Sequence, residues 1–196
     1  MNPLFRNLHC SILGLLLFAA WDRPATVAAE DAIITFAGGG TEHVRKEGVK
    51  AVEAKLGRIY DIAVDSKGDV YAVDMDHGLV LRIAAATGTS EIVAGGGQHP
   101  PYNRDAGWQD EGLATKAFLD RPEALALDKN DNLYVADSSQ KRICKINLKT
   151  GMLAVVAGTP YSGEPRYNGD GIPALKARLN LPQGIAVDAP GNLYLA

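Results

Sequence analysis

Cysteine is nearly absent from this chain. Only Cys10 and Cys144 occur among its 196 residues, which rules out a disulfide framework and any site built on paired cysteines. Aromatic residues are few, at 7%, and no apolar run reaches the roughly 20 residues that a membrane-spanning helix needs. An excess of basic charge is missing as well. With a formal net charge of −3 the chain offers no electrostatic footprint for nucleic acid, which is held by many Lys and Arg at its phosphates. Neither a nucleic-acid partner nor a membrane span is therefore expected. Nucleophile elbows, phosphate-cradling loops and dinucleotide fingerprints are also lacking. Gly38-Gly-Gly40 and Gly95-Gly-Gly97 are rich in glycine, but no Lys-Ser/Thr pair follows them and they read as loop hinges.

Residues 1–29 have the pattern of an export leader. Arg6 supplies a positive start, Ile12 to Ala20 a short apolar run, and Val27 with Ala29 a small-residue cleavage site before Glu30. Cys10 precedes the apolar run, so a lipid anchor of the lipoprotein kind is not expected. Cleavage near Ala29 would place the mature chain in the periplasm or outside the cell. Its net charge would be −4, because the leader removes one net positive charge from the total of −3. Cys144 would be the remaining thiol, placed in a strand as a small apolar side chain.

What the chain does have is repetition. Asp65-Ser-Lys-Gly-Asp-Val-Tyr-Ala-Val-Asp74, Asp128-Lys-Asn-Asp-Asn-Leu-Tyr-Val-Ala-Asp137 and Asp188-Ala-Pro-Gly-Asn-Leu-Tyr-Leu-Ala196 follow one another at spacings of 63 and 60 residues. Leu56, Leu119 and Leu179 keep those spacings, and Thr87-Gly88 is matched by Thr150-Gly151. A fixed period of this size marks a repeat architecture. Within a repeat the hydrophobic period is two, and turn clusters such as Asp188-Ala-Pro-Gly191 separate short β-rich runs. Gly68 and Gly191 suit positive φ, and Asp131 takes that place in the middle repeat. Adding Leu79–Ile83 and Glu91–Ala94, or Arg142–Ile146 and Met152–Ala157, makes four short antiparallel strands per repeat, a propeller blade.

With strands lettered a to d in chain order, the variable part is the d-to-a connection. From Ala37, Ala94 and Ala157 to the next of Leu56, Leu119 and Leu179 it takes 19, 25 and 22 residues. Each connection ends on recurring Ala and Leu, which read as a helical turn tucking the Leu under the next blade.

Leu181-Pro-Gln-Gly-Ile-Ala-Val-Asp-Ala-Pro-Gly-Asn-Leu-Tyr194, Tyr134-Val-Ala-Asp137 followed by Arg142-Ile143, and Val155-Val-Ala-Gly158 with Asn168-Gly-Asp-Gly171 resemble the NHL-repeat family of β-propellers. Blade one departs from that pattern with Leu79 in place of Arg142, and with Ile59 where later blades have Pro122 and Pro182. The resemblance implies an all-β NHL-type propeller, incomplete at about three blades' worth of strands. The expected division is a leader over 1–29 and a partial propeller over 30–196. The latter comprises a lone d strand at 32–37, blades at 57–95 and 120–158, and an a-b hairpin at 181–196. Further blades would be missing from this chain. Members resembling the pattern include extracellular sensors, adhesion proteins, RNA-binding domains and a metal-dependent lyase.

Strands alternate in direction, so the long d-to-a connections share a rim with the b-to-c turns, and loops on a rigid scaffold are where binding concentrates. The ligand-binding candidates there are His77, His99, Tyr102, Trp108, Tyr161, Arg166 and Tyr167, since exposed aromatics and Arg are common interface anchors. No catalytic residue, metal ligand or cofactor site is expected. His43, His77 and His99 hold non-equivalent positions and form no ring. Asn168-Gly-Asp-Gly171 lacks the further acidic ligands of a calcium loop and reads as a turn. Repeated Asp74 and Asp137 suit an Asx-type turn or a bond between blades. The expected function is an exported, non-catalytic recognition scaffold for a protein, peptide or glycan. The alternative is a metal-dependent lyase or lactonase-like propeller enzyme.

Overall fold

The computed structural model describes residues 34–44, 48–98, 111–159 and 168–196. Two short strands come first, β1 (Glu42–His43) and β2 (Ala54–Lys55), paired in parallel. An antiparallel four-stranded sheet follows from β3 (Ile59–Val64), β4 (Val70–Asp74), β5 (Leu79–Ile83) and β6 (Ser90–Gly95), in chain order. The second sheet is five-stranded and built from β7 (Glu111–Leu113), β8 (Pro122–Leu127), β9 (Asn132–Asp137), β10 (Arg142–Asn147) and β11 (Met152–Ala157). Last comes a hairpin of β12 (Ile185–Val187) and β13 (Leu193–Leu195).

Each a-b hairpin is closed by the first Asp of the repeated phrase. Asp128 Oδ1 accepts the N–H groups of Asn130 and Asn132, while its Oδ2 takes Asn132 Nδ2 and the Tyr134 hydroxyl. Asp65 and Asp188 repeat this arrangement, the first with Lys67, Asp69 and Tyr71, the second with Gly191, Asn192 and Tyr194. Burial works to raise the Asp128 carboxyl, but these hydrogen bonds outweigh it and hold the group below the usual range. The turn position that needs positive φ carries Gly68 (85°), Asp131 (61°) and Gly191 (100°). Two of the three are glycine because it has no Cβ to clash there.

Alternation along the strands sorts side chains between the two faces of each blade. Tyr71, Val73, Val80 and Ala94 of the first sheet meet Leu125, Leu133, Val135, Cys144, Ile146 and Leu153 of the second in one buried cluster. Ala124, Ala136, Ile143 and Ala157, on the opposite face of the second sheet, pack against Leu179, Ile185 and Leu193. Sheets therefore stack face to face in sequence order. The Leu125 N–H donates across the first junction to Asp61 Oδ2 at 2.8 Å. Cys144 is fully buried within this packing.

The Ala-rich ends of the connections form single 3₁₀ turns at Ala51–Glu53, Ala114–Lys116 and Ala174–Lys176. Leu119 beyond the second turn is buried in the inter-blade cluster. A glycine leaving the preceding d-strand position donates its N–H to each turn: Gly38 to Ala51 O, Gly97 to Ala117 O and Gly158 to Ala174 O. Before the turn, the connection also pairs with the outermost strand of the blade it is about to enter. β7 runs antiparallel to β11, and Lys50 bridges Thr89 at the same place in the first blade.

One expectation needs correcting. Blade two has a fifth strand, β7, beyond the four expected, because the connection finds free ladder positions on β11. The expected lone d strand over 32–37 begins outside the described residues, and within them Ile34 and Phe36 are exposed. The leader over 1–29 lies outside the described residues.

Candidate functional site

The start of β3, the end of β4, the start of β5 and the end of β6 converge on one rim by antiparallel order, as do the corresponding ends of β8 to β11. At this rim each blade ends its b strand on an aspartate with no exposed surface, Asp74 or Asp137. A buried carboxylate is costly unless its oxygens find donors.

In blade two the donors are the Asp120 N–H at 2.8 Å and Arg142 Nε at 2.9 Å. Arg142 reaches on to the carbonyl of Phe118, so one guanidinium ties β10 both to the b strand and to the incoming connection. Burial still pushes the Asp137 carboxyl up to about 6, against the pull of Arg142 and of the Asp120 N–H. Ser138 and Gln140 in the following turn are buried.

In blade one Leu79 stands at the Arg142 position and packs into an apolar cluster with Val44, Val49, Ala54 and Leu81. Asp74 instead accepts the N–H groups of Gly57 at 2.8 Å and His77 at 3.1 Å, and faces His77 Nδ1 at 2.8 Å from Oδ2. Beside this pair Arg58 forks onto Asp76 Oδ1 through Nε and an Nη, and donates its backbone N–H to Oδ2. That side-chain fork holds the Asp76 carboxyl below its ordinary range and raises the Arg58 guanidinium.

Of the seven ligand-binding candidates, the structure places His77, on the b-to-c turn of blade one, with its side chain 44% exposed. His99, Tyr102, Trp108, Tyr161, Arg166 and Tyr167 lie outside the described residues. Asp76 shares the b-to-c turn with His77 and was read with it, whereas Gly57, Arg58 and Asp74 were not read as its neighbours; all four gather around it. The repeat register held a signal, because Gly57 aligns with Asp120 and His77 with Gln140 just where Leu79 replaces Arg142. Among the described residues Asp74 and Asp137 make no bond between blades; they clamp the connection within their own blade, and Asp61 bonds across to the next blade. Asn168, in the calcium-like phrase, clasps the last 3₁₀ turn, its Nδ2 donating to Lys176 O and its Oδ1 accepting the Arg178 N–H. Among the described residues no three His, Cys, Asp or Glu side chains come together as a metal-holding group.

No family model matches the chain. Human NHL repeat-containing protein 2 is 27% identical over 167 residues, which cover 83% of this chain and 22% of that protein. An auxiliary nutrient binding protein from Bacteroides thetaiotaomicron superposes with a TM-score of 0.54 at 22% identity, over 68% of this chain and 33% of that one. The chain is an NHL-type β-propeller, incomplete as a ring. A second propeller relative by structure, a protein of unknown function from the same bacterium, has a TM-score of 0.51 at 22% identity and is matched over 30% of its length. Human teneurin-4 is 31% identical over 145 residues, 69% of this propeller chain but 5% of the teneurin. The chain thus spans a small part of the curated relatives it matches. Among the described residues no helix is long and apolar enough to cross a membrane.

Proposed function

We propose that this propeller is an exported, non-catalytic recognition scaffold that binds a protein, peptide or glycan across the rim of its d-to-a connections and b-to-c turns. Residues 1–29 act as the cleaved leader and the propeller begins at residue 30, with blades at 57–95 and 120–158. His77, His99, Tyr102, Trp108, Tyr161, Arg166 and Tyr167 supply the contact surface. The observation that carries the reading is the braced turn of blade one. Arg58, Asp76 and His77 are held at the rim by paired hydrogen bonds and remain partly open to solvent, so their presentation costs little ordering on binding. A nutrient-binding protein of similar fold fits the same class of activity, though fold alone does not assign function.

A phage-displayed peptide library and a glycan array test this. Ligands selected on the full chain should be lost on an Arg58→Ser/His77→Ser variant and kept on Lys67→Ser/Lys149→Ser, which alters the opposite rim. Retention on the first variant with loss on the second would place binding elsewhere and overturn the proposal. The enzymatic alternative would gain from a stoichiometric metal whose removal by a chelator abolishes turnover.

A further inference from the structure

We propose that Gly57, Asp74 and His77 form an oriented-imidazole site, in which Nε2 of His77 is held bare and outward to accept a hydrogen bond from a donor group of the ligand, such as a hydroxyl. The inference rests on the rim reading above for what reaches the imidazole, but its geometry stands alone. Both oxygens of Asp74 already serve as acceptors: Oδ2 takes the Gly57 N–H and Oδ1 the His77 N–H. As a carboxylate Asp74 only accepts, so the third partner, His77 Nδ1 at 2.8 Å, is its donor, and which ring nitrogen carries the proton is set by such a partner. Nδ1 turned toward Asp74 leaves the opposite ring nitrogen, Nε2, directed away from it on a half-open side chain.

The close approach that makes this possible depends on residue 57. A Cβ there would sit 2.4 Å from Asp74 Oδ1, 2.8 Å from Asp76 Cβ and 3.1 Å from His77 Nδ1. Blade two has Asp120 at that position, and there the aspartate is served by Arg142 with Gln140 in place of the histidine. Glycine, histidine and the loss of the arginine therefore occur together in one blade. In this pairing Asp74 is a positioning residue, and His77 Nε2 is the atom that meets the ligand.

Two measurements on the full chain decide the matter without knowing the ligand. Ring ¹⁵N chemical shifts of His77 at about pH 8, where an unperturbed imidazole is neutral, should show a protonated Nδ1 and a pyridine-type Nε2. Diethyl pyrocarbonate should acylate His77 about fivefold faster than exposed His43, since a bare, fixed nitrogen is the nucleophile in that reaction. In that step Nε2 attacks a carbonyl of the anhydride and expels ethyl carbonate, which takes up the proton lost from Nδ1 and breaks down to ethanol and carbon dioxide. An Nε2–H tautomer, an averaged pair of tautomers, or a rate no faster than that of His43 would overturn the inference, whatever the rim binds. Asp74→Asn should move the proton toward Nε2 and slow acylation. A folded Asp74→Asn with unchanged shifts would overturn the positioning role, and should that variant not fold, the wild-type shifts decide alone. A correct tautomer beside a rim that selects no ligand would instead count against the recognition reading.

Discussion

Blade one and blade two bury the same aspartate at the same strand end and serve it with different chemistry. Asp137 faces a guanidinium that is always charged, planar and able to reach a second acceptor, the Phe118 carbonyl. Asp74 has a loop histidine and two backbone N–H groups, and the strand position vacated by arginine is filled by Leu79 in an apolar cluster. One solution spends its polar partner inward and buries the turn, while the other leaves a titratable ring at the rim. The repeat tolerates both because what it requires is a satisfied carboxylate at that point, not a particular donor.

The sharpest way to break the comparison is Arg142→Leu, which gives blade two the blade-one residue without its histidine. Removing one partner of a buried ion pair costs about 3–5 kcal/mol, so the urea midpoint should fall steeply; Leu79→Ala, a cavity change in blade one, will not reproduce its pH dependence. Adding Gln140→His and Asp120→Gly to Arg142→Leu should restore part of the loss by rebuilding the blade-one arrangement. A triple variant no more stable than Arg142→Leu would show that the two arrangements are not interchangeable.

Acid acts on the same pair. Folded Asp137 titrates at about 6, whereas an unfolded aspartate does so near 4. The folded state binds that proton more tightly, so this group favours folding at low pH and the benefit is lost as pH rises from about 4 through 6. Its contribution to the slope amounts to at most about 3 kcal/mol across the window. Asp137→Asn should flatten it, as read from denaturant midpoints at a series of pH values.

Smaller effects separate the blades further. Gly57→Ala should cost about 1–3 kcal/mol through the forced shift of a packed, hydrogen-bonded neighbour, while Asp120→Ala at the equivalent position stays within about 0.5 kcal/mol. Equal losses at the two sites would mean that blade one is not specially tight there. Tyr134→Phe should cost about 1 kcal/mol for one lost hydrogen bond, and Tyr194→Phe in the exposed terminal hairpin should leave the melting temperature unchanged.

The repeat period, the hairpins and the positive φ of Asp131 were legible in the sequence because each is written in adjacent residues. The fold class followed from them. β7 was not legible: Glu111-Gly-Leu113 has no alternation of its own, and its partner β11 lies about forty residues later. The site was half legible. Alignment of the repeats exposed both the Leu79 for Arg142 exchange and the His77 for Gln140 exchange. Their connection runs through Asp74, whose burial and shared oxygens belong to the folded chain.

The grip of the first two connections on the outer strand of the blade each enters, Lys50 on Thr89 and β7 on β11, has a mechanical consequence. Tension along the backbone enters a blade at both edges at once, at the inner strand through covalent continuity and at the outer strand through its ladder. A blade loaded this way is sheared as a unit before any strand can be peeled from it, so stretching the array should release whole blades in steps.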